Sequence, residues 1–120
     1  MKLHLHTSPL NLVTQYGDGY LDVNQTRYTE NVLITPEHVA PWGRAGFDGL
    51  SAEDFAALLE YTPEVVVFGA GARLRFPHPR LTAALTNAGI GVEVMDTGAA
   101  CRTYNVLLSE DRRVLAAILL

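Results

Sequence analysis

Two hydrophobic periods divide the chain. Up to about residue 36 the pattern alternates every second position, the period of a half-buried strand. Leu3-His4-Leu5-His6 alternates, and Leu10 to Tyr16 is a β-prone run stopped by Gly17-Asp18-Gly19. Tyr20 to Val23 alternates again, so the Gly-Asp-Gly segment is expected to be a three-residue hairpin turn. Asn24-Gln25 offers a second turn before Thr26 to Thr29, and Val32 to Ile34 ends at Thr35-Pro36. These features predict a small antiparallel meander. Between 37 and 50 the period lapses around Pro41-Trp42-Gly43, and an apolar loop packed back onto the domain is expected there.

From residue 51 the period lengthens. Ser51-Ala52-Glu53-Asp54 resembles a capping box, Phe55, Leu58 and Leu59 form an i, i+3, i+4 stripe, and Thr62-Pro63 stops the helix. Val65 to Phe68 is a β-branched run suited to a strand covered on both faces. A second helix is expected from Pro79 to Gly89, a strand over Gly91 to Met95, and a third helix capped by Asp96-Thr97. Ala100, Tyr104, Leu107 and Leu108 mark the buried side of that helix, and Val114 to Leu119 reads as a final covered strand. The order α-β-α-β-α-β calls for helices on a mostly parallel sheet with right-handed crossovers. The predicted fold is therefore a three-layer α/β domain spanning residues 1–120, with a mixed, mostly parallel sheet and an N-terminal β meander.

Composition narrows the function classes. Of 120 residues 48% are hydrophobic, enough for one domain's core, and 9 Lys and Arg against 13 Asp and Glu leave a net charge of −4. That balance excludes a nucleic-acid footprint and leaves no polybasic stretch for anionic membranes. The single cysteine, Cys101, rules out an intramolecular disulfide and is expected as a buried hydrophobe. The longest apolar run, Val114 to Leu120, is far short of the ~20 residues of a membrane span. With no targeting segment and a lone thiol, a cytoplasmic location is expected.

A candidate site follows from topology. Ligands on parallel sheets collect where the strands' carboxyl ends face a crevice. Phe68 runs into Gly69-Ala70-Gly71 and Met95 into Asp96-Thr97-Gly98, so both loops should share one rim. The glycines permit close approach of backbone N–H groups, and the start of the third helix should be uncrowded and available to an anion. Arg73, Arg102 and Asn105, which is at i+3 from Arg102, complete a candidate pocket for an anionic or polar group or a partner. A dinucleotide fingerprint fails, because Leu74 stands where its third glycine belongs and Phe76-Pro77-His78-Pro79 separates the loop from the next helix. No serine lies in a nucleophile elbow, and Asp96 is explained as a helix cap. His4 and His6 could share a strand face and a metal, but a solvated face of the first strand is the better explanation. No catalytic residue, metal site or cofactor is assigned. Trp42 is expected beneath its own loop, with partner anchoring as the alternative, and homo-oligomerisation through a sheet edge or that loop is open.

The run Pro63-Glu64-Val65-Val66-Val67-Phe68-Gly69-Ala70-Gly71, then Phe76-Pro77, Gly89 to Thr97 and Ala100-Cys101-Arg102-Thr103-Tyr104-Asn105-Val106-Leu107 resembles the adipogenesis-associated Mth-type domain family. That family includes mitochondrial complex I assembly factor 3 and small stand-alone proteobacterial proteins. The resemblance implies a single three-layer α/β domain, no established enzymatic activity, and a protein partner such as a respiratory-complex subunit or assembly factor. Many members carry Gly-Thr-Gly at the loop; Ala70 removes that hydroxyl and with it one group that could touch a ligand.

Overall fold

In the computed structural model, residues 10–43 and 45–120 are described. The expected strand at Leu3 to His6, and with it His4 and His6, lies outside them. Strands β1 (Val13–Gly17), β2 (Tyr20–Val23) and β3 (Thr26–Tyr28) form an antiparallel sheet in that order. The first turn is tighter than expected: Gly17 pairs with Tyr20 inside the ladder, and only Asp18 and Gly19 bridge the strands, with Gly19 at φ +76°. A two-residue loop suffices because glycine occupies the left-handed region without a Cβ penalty.

Val32 to Ile34 departs from the expected meander. As β4 (Val32–Ile34) it crosses to a second sheet, where it pairs antiparallel with β5 (Val39–Pro41) on one side and β8 (Val114–Ile118) on the other. All three β4 residues are buried. A strand apolar on both faces gains more in the middle of a covered sheet than at the end of a solvated meander. β5 lies in the segment expected to be loop; its Pro41 cannot donate to a ladder, which suits the edge position it takes.

The five-stranded sheet runs β5-β4-β8-β6-β7, with β6 (Val65–Gly69) parallel to both β8 and β7 (Gly91–Met95). Its two faces are filled by alternate residues of the same strands. Val65, Val67, Val114, Ala116 and Ile118 pack toward α3 (Thr97–Ser109) and the meander's Leu21 and Val23. Val66, Phe68, Leu115 and Ala117 pack toward α1 (Ala52–Ala56), α2 (Pro79–Asn87) and Trp42. The result is three layers, with helices α1 and α2 on one face and α3 with the meander on the other.

Local chemistry sets the helix ends. Ser51 Oγ accepts the Asp54 N–H and the Asp54 carboxylate accepts the Ser51 N–H at 2.9 Å, a complete capping box. α1 is shorter than its sequence pattern: after Ala56 it tightens into a 3-10 turn over Ala57–Tyr61, and Thr62 ends it at φ +46° before Pro63. Pro63 disfavours helical backbone at the residue before it. Trp42 is buried edge-on against Phe55 and Phe68, at centroid distances of 5.4 and 5.9 Å, and its Nε1–H donates to Asp54 O at 3.0 Å. It therefore lies under its own loop as expected.

Candidate functional site

The three parallel strands β6, β7 and β8 all exit on one rim. Gly69, Met95 and Ile118 are in register there, and the following residues are laced together. Ala70 N–H donates to Met95 O at 2.8 Å, and Leu119 N–H to Gly69 O at 3.0 Å. Thr97 joins all three exits: its N–H donates to Gly71 O at 2.8 Å, its hydroxyl donates to Leu119 O at 2.8 Å, and the same oxygen accepts from Gly71 N–H at 3.1 Å. Gly69 is required by packing. A Cβ there would meet Ile118 Cδ1 at 2.9 Å and the Thr97 Cα at 3.2 Å.

Above this rim lies a cleft of about 710 Å³. Its floor is the Ala70-Gly71-Ala72 and Thr97-Gly98 loops, one wall is the Tyr16 to Gly19 hairpin, and another is Phe47 with Arg75. Ala70, Gly71, Thr97 and Gly98, all expected at the site from sequence, are thus brought together. The start of α3 differs from expectation in two ways. Asp96 Oδ1 accepts the Ala99 N–H at 2.9 Å and Asp96 O accepts the Ala100 N–H, leaving Gly98 as the residue of the first turn with an N–H to offer. Gly98 itself is crowded: a Cβ on it would lie 3.0 Å from Tyr16 Cε1 and 3.5 Å from Arg102 Nη1. The Arg102 guanidinium donates to the Tyr16 hydroxyl and lies 5.8 Å from the centre of that ring.

The remaining candidates are placed otherwise. Arg73 is exposed on the loop beyond the cleft. Asn105 spends both ends of its amide on β1, its Nδ2–H donating to Val13 O at 2.8 Å and its Oδ1 accepting from Val13 N–H at 3.0 Å. Cys101 is fully buried, and burial pushes its thiol up to about 11, against the opposing pull of Arg102. Burial also raises the neighbouring Tyr104 phenol, whose hydroxyl donates to Asn11 O at 2.7 Å. Among the described residues, no three His, Cys, Asp or Glu side chains converge as a metal site would require.

Arg75 is one of the cleft residues that sequence reasoning missed, with Tyr16 and Phe47. Its guanidinium stacks 4.4 Å from the centre of Phe47 and donates through Nη2 to Ala70 O at 3.4 Å. Its Nε is buried with no hydrogen-bond partner among the described residues. No local signal marked it: an alternating Arg-Leu-Arg-Phe run would put Arg73 and Arg75 on one side, whereas Arg73, Leu74 and Phe76 are all exposed and Arg75 alone turns inward.

Residues 13–119 match the family described as protein of unknown function (DUF498/DUF598). The chain belongs to this family. The bovine (Bos taurus) NADH dehydrogenase (ubiquinone) 1 alpha subcomplex assembly factor 3 is 33% identical over 93% of this chain, which spans 62% of that protein's own length. Two solved structures are also similar. A Bordetella parapertussis protein superposes with a TM-score of 0.86 at 42% identity, covering 95% of this chain and 98% of its own. A Bordetella pertussis protein described as a Mth938-like domain gives 0.80 at 37% identity, covering 99% of this chain and 92% of its own. The family assignment and three-layer fold expected from sequence both stand.

The expected cytoplasmic location does not. The assembly-factor relatives, placed in mitochondria by the resemblance drawn from sequence, are not cytoplasmic proteins. A short acidic chain with one thiol is compatible with many compartments, so composition could not decide the matter. No helix among the described residues is long and apolar enough to cross a membrane.

Proposed function

We propose that this chain is a non-enzymatic binding or assembly module that acts on a subunit or assembly factor of a respiratory NADH dehydrogenase. The observation that carries the reading is the 33% identity to the bovine assembly factor along 93% of this chain. The surface adds support, since the rim residues are used structurally: Thr97 ties strand exits together, Asp96 caps α3, and Asn105 holds β1. Deleting the gene and resolving the respiratory enzyme on native gels tests it. The expected result is a loss of full-size enzyme with accumulation of smaller subassemblies, restored by the intact chain. Full-size enzyme in normal amount would overturn the proposal.

A second reading is favoured by one observation, the buried Arg75 Nε, without a hydrogen-bond partner among the described residues, in a cleft that Gly98 also lines. It makes the rim from Gly69 to Gly71 and from Asp96 to Arg102 a site for a small anion. Thermal denaturation with inorganic phosphate, citrate or adenosine diphosphate checks this. Stabilisation that disappears in Arg102→Ala and Arg75→Gln supports it; an unchanged midpoint with all three anions rejects it.

A further inference from the structure

Charge along the chain is unevenly distributed. The 28 residues from Val65 to Val92 hold Arg73, Arg75 and Arg80 and none of the 13 acidic side chains, so this stretch carries +3 within a chain of −4 and the remainder carries −7. The basic residues cluster on the loop between β6 and α2 and at the start of α2, where Arg73 on the loop and Arg80 in the helix are exposed. The same loop holds the most exposed large apolar side chain among the described residues, Phe76 at 71%, with Leu74 at 51%. Arg75 fixes the base of the loop through its stack on Phe47 and its bond to Ala70 O. Pro77 and Pro79 limit the backbone beyond it. An aromatic and a leucine held out in water, flanked by arginines on a pre-ordered loop, have the make-up of an interface hot spot rather than of a monomer's surface.

We infer that the segment Ala72–Arg80, the loop together with the first two residues of α2, is a docking surface for an acidic segment of a partner protein, with Phe76 and Leu74 entering an apolar pocket of the partner and Arg73 and Arg80 pairing with its carboxylates. This rests on the binding-module reading and names the part of the molecule that carries it. Charge complementarity selects the partner. The loop is the locally basic part of an otherwise acidic chain, so an acidic protein is attracted here and repelled elsewhere. A membrane fits less well. Polybasic lipid-binding segments carry about 4–8 Lys or Arg, and an anionic bilayer would repel the −7 remainder of this chain.

Panning a phage-displayed library of random dodecapeptides on the intact chain provides the test. The selected peptides should be rich in Asp and Glu around a Phe, Trp or Leu, and their binding should shift amide resonances of residues 72–80. Phe76→Ser and the double variant R73E/R80E, all at exposed positions, should each retain the native circular dichroism spectrum and lower peptide affinity about tenfold or more. The double variant should come to prefer Lys-rich peptides. Neutral or basic peptides, no enrichment, or amide shifts elsewhere on the chain would overturn the assignment of this loop. So would phosphatidylglycerol vesicles sedimenting the wild type but not Phe76→Ser, with no peptide selected. A failure of the binding-module reading itself would show separately, as normal respiratory enzyme in the deletion strain.

Discussion

Asn105→Ala should uncouple the meander from α3, and the size of its effect can be worked from two bonds. The Asn105 side chain presents an amide to the Val13 backbone as a neighbouring strand would, satisfying both Val13 O and Val13 N–H. Truncation leaves both groups unpaired. A buried backbone group without a partner costs about 1–3 kcal/mol, and in this half-buried position water can answer part of the demand, so about 1 kcal/mol for each group is expected. The total of about 2 kcal/mol corresponds to a fall of roughly 6–8 °C in melting midpoint for a chain of this length. Asn105→Asp should be worse at neutral pH, because it loses the donor and sets a carboxylate against the Val13 carbonyl. At about pH 4, where the acid begins to protonate and can donate, part of the difference should return. Urea unfolding followed by circular dichroism gives the free energies, and amide hydrogen exchange locates the effect at Val13. Stability of Asn105→Ala within about 0.5 kcal/mol of wild type would refute the reasoning, as would a global loss with unchanged protection at Val13.

Other expected outcomes follow from packing and ionisation. Gly69→Ala should cost about 1–3 kcal/mol, because its Cβ meets Ile118 and the α3 backbone, and pushing α3 away should raise amide exchange at Thr97 and Gly71. Trp42→Ala should cost about 3–5 kcal/mol in urea unfolding, while Trp42→Phe, which keeps most of the ring packing on Phe55 and Phe68 but loses the bond to Asp54 O, should cost distinctly less. Cys101, raised from 9.0 to about 11 by burial, should resist Ellman's reagent at pH 8 in the native protein and react once urea unfolds it. The same shift gives stability a sign with pH. Cys101 and Tyr104 both ionise less readily when folded, so their contribution is intact below about pH 9 and is lost as pH rises through the folded value of Cys101. Unfolding free energy measured between pH 8 and 11 should therefore fall, and less steeply in Cys101→Ala.

The α/β half was legible because its signals are local. Val65 to Phe68, the Pro79 start, the Gly91 to Met95 strand and the Asp96 cap each announce themselves within a few residues, and all four are where their spacing puts them. Sheet membership was not legible. Val32-Leu33-Ile34 reads equally well as the last strand of a meander or the second strand of a larger sheet, and only its pairing with Ala116 to Ile118 decides between them. β5 was hidden by Pro41, which marks a break in sequence yet is tolerated at an edge. At the site, Gly69 to Gly71 and Thr97-Gly98 could be found because strand exits are predictable from strand order. Tyr16 and Phe47, on the walls, come from segments distant in sequence and carry no local mark.

The central position of β8 has a consequence for synthesis. Ala116 pairs with Ile34 on one side and Val67 on the other, so among the described residues the β4–β5 hairpin and the β6–β7 pair have no strand contact except through β8. A nascent chain that has emerged as far as Arg113 therefore holds two separate strand pairs, each with an open apolar edge at β4 and β6. Closure must then bridge 82 residues of chain, from Ile34 to Ala116, in one event. The sheet therefore cannot close until β8 is available, and the interval before it is when the chain most needs the protection of a chaperone.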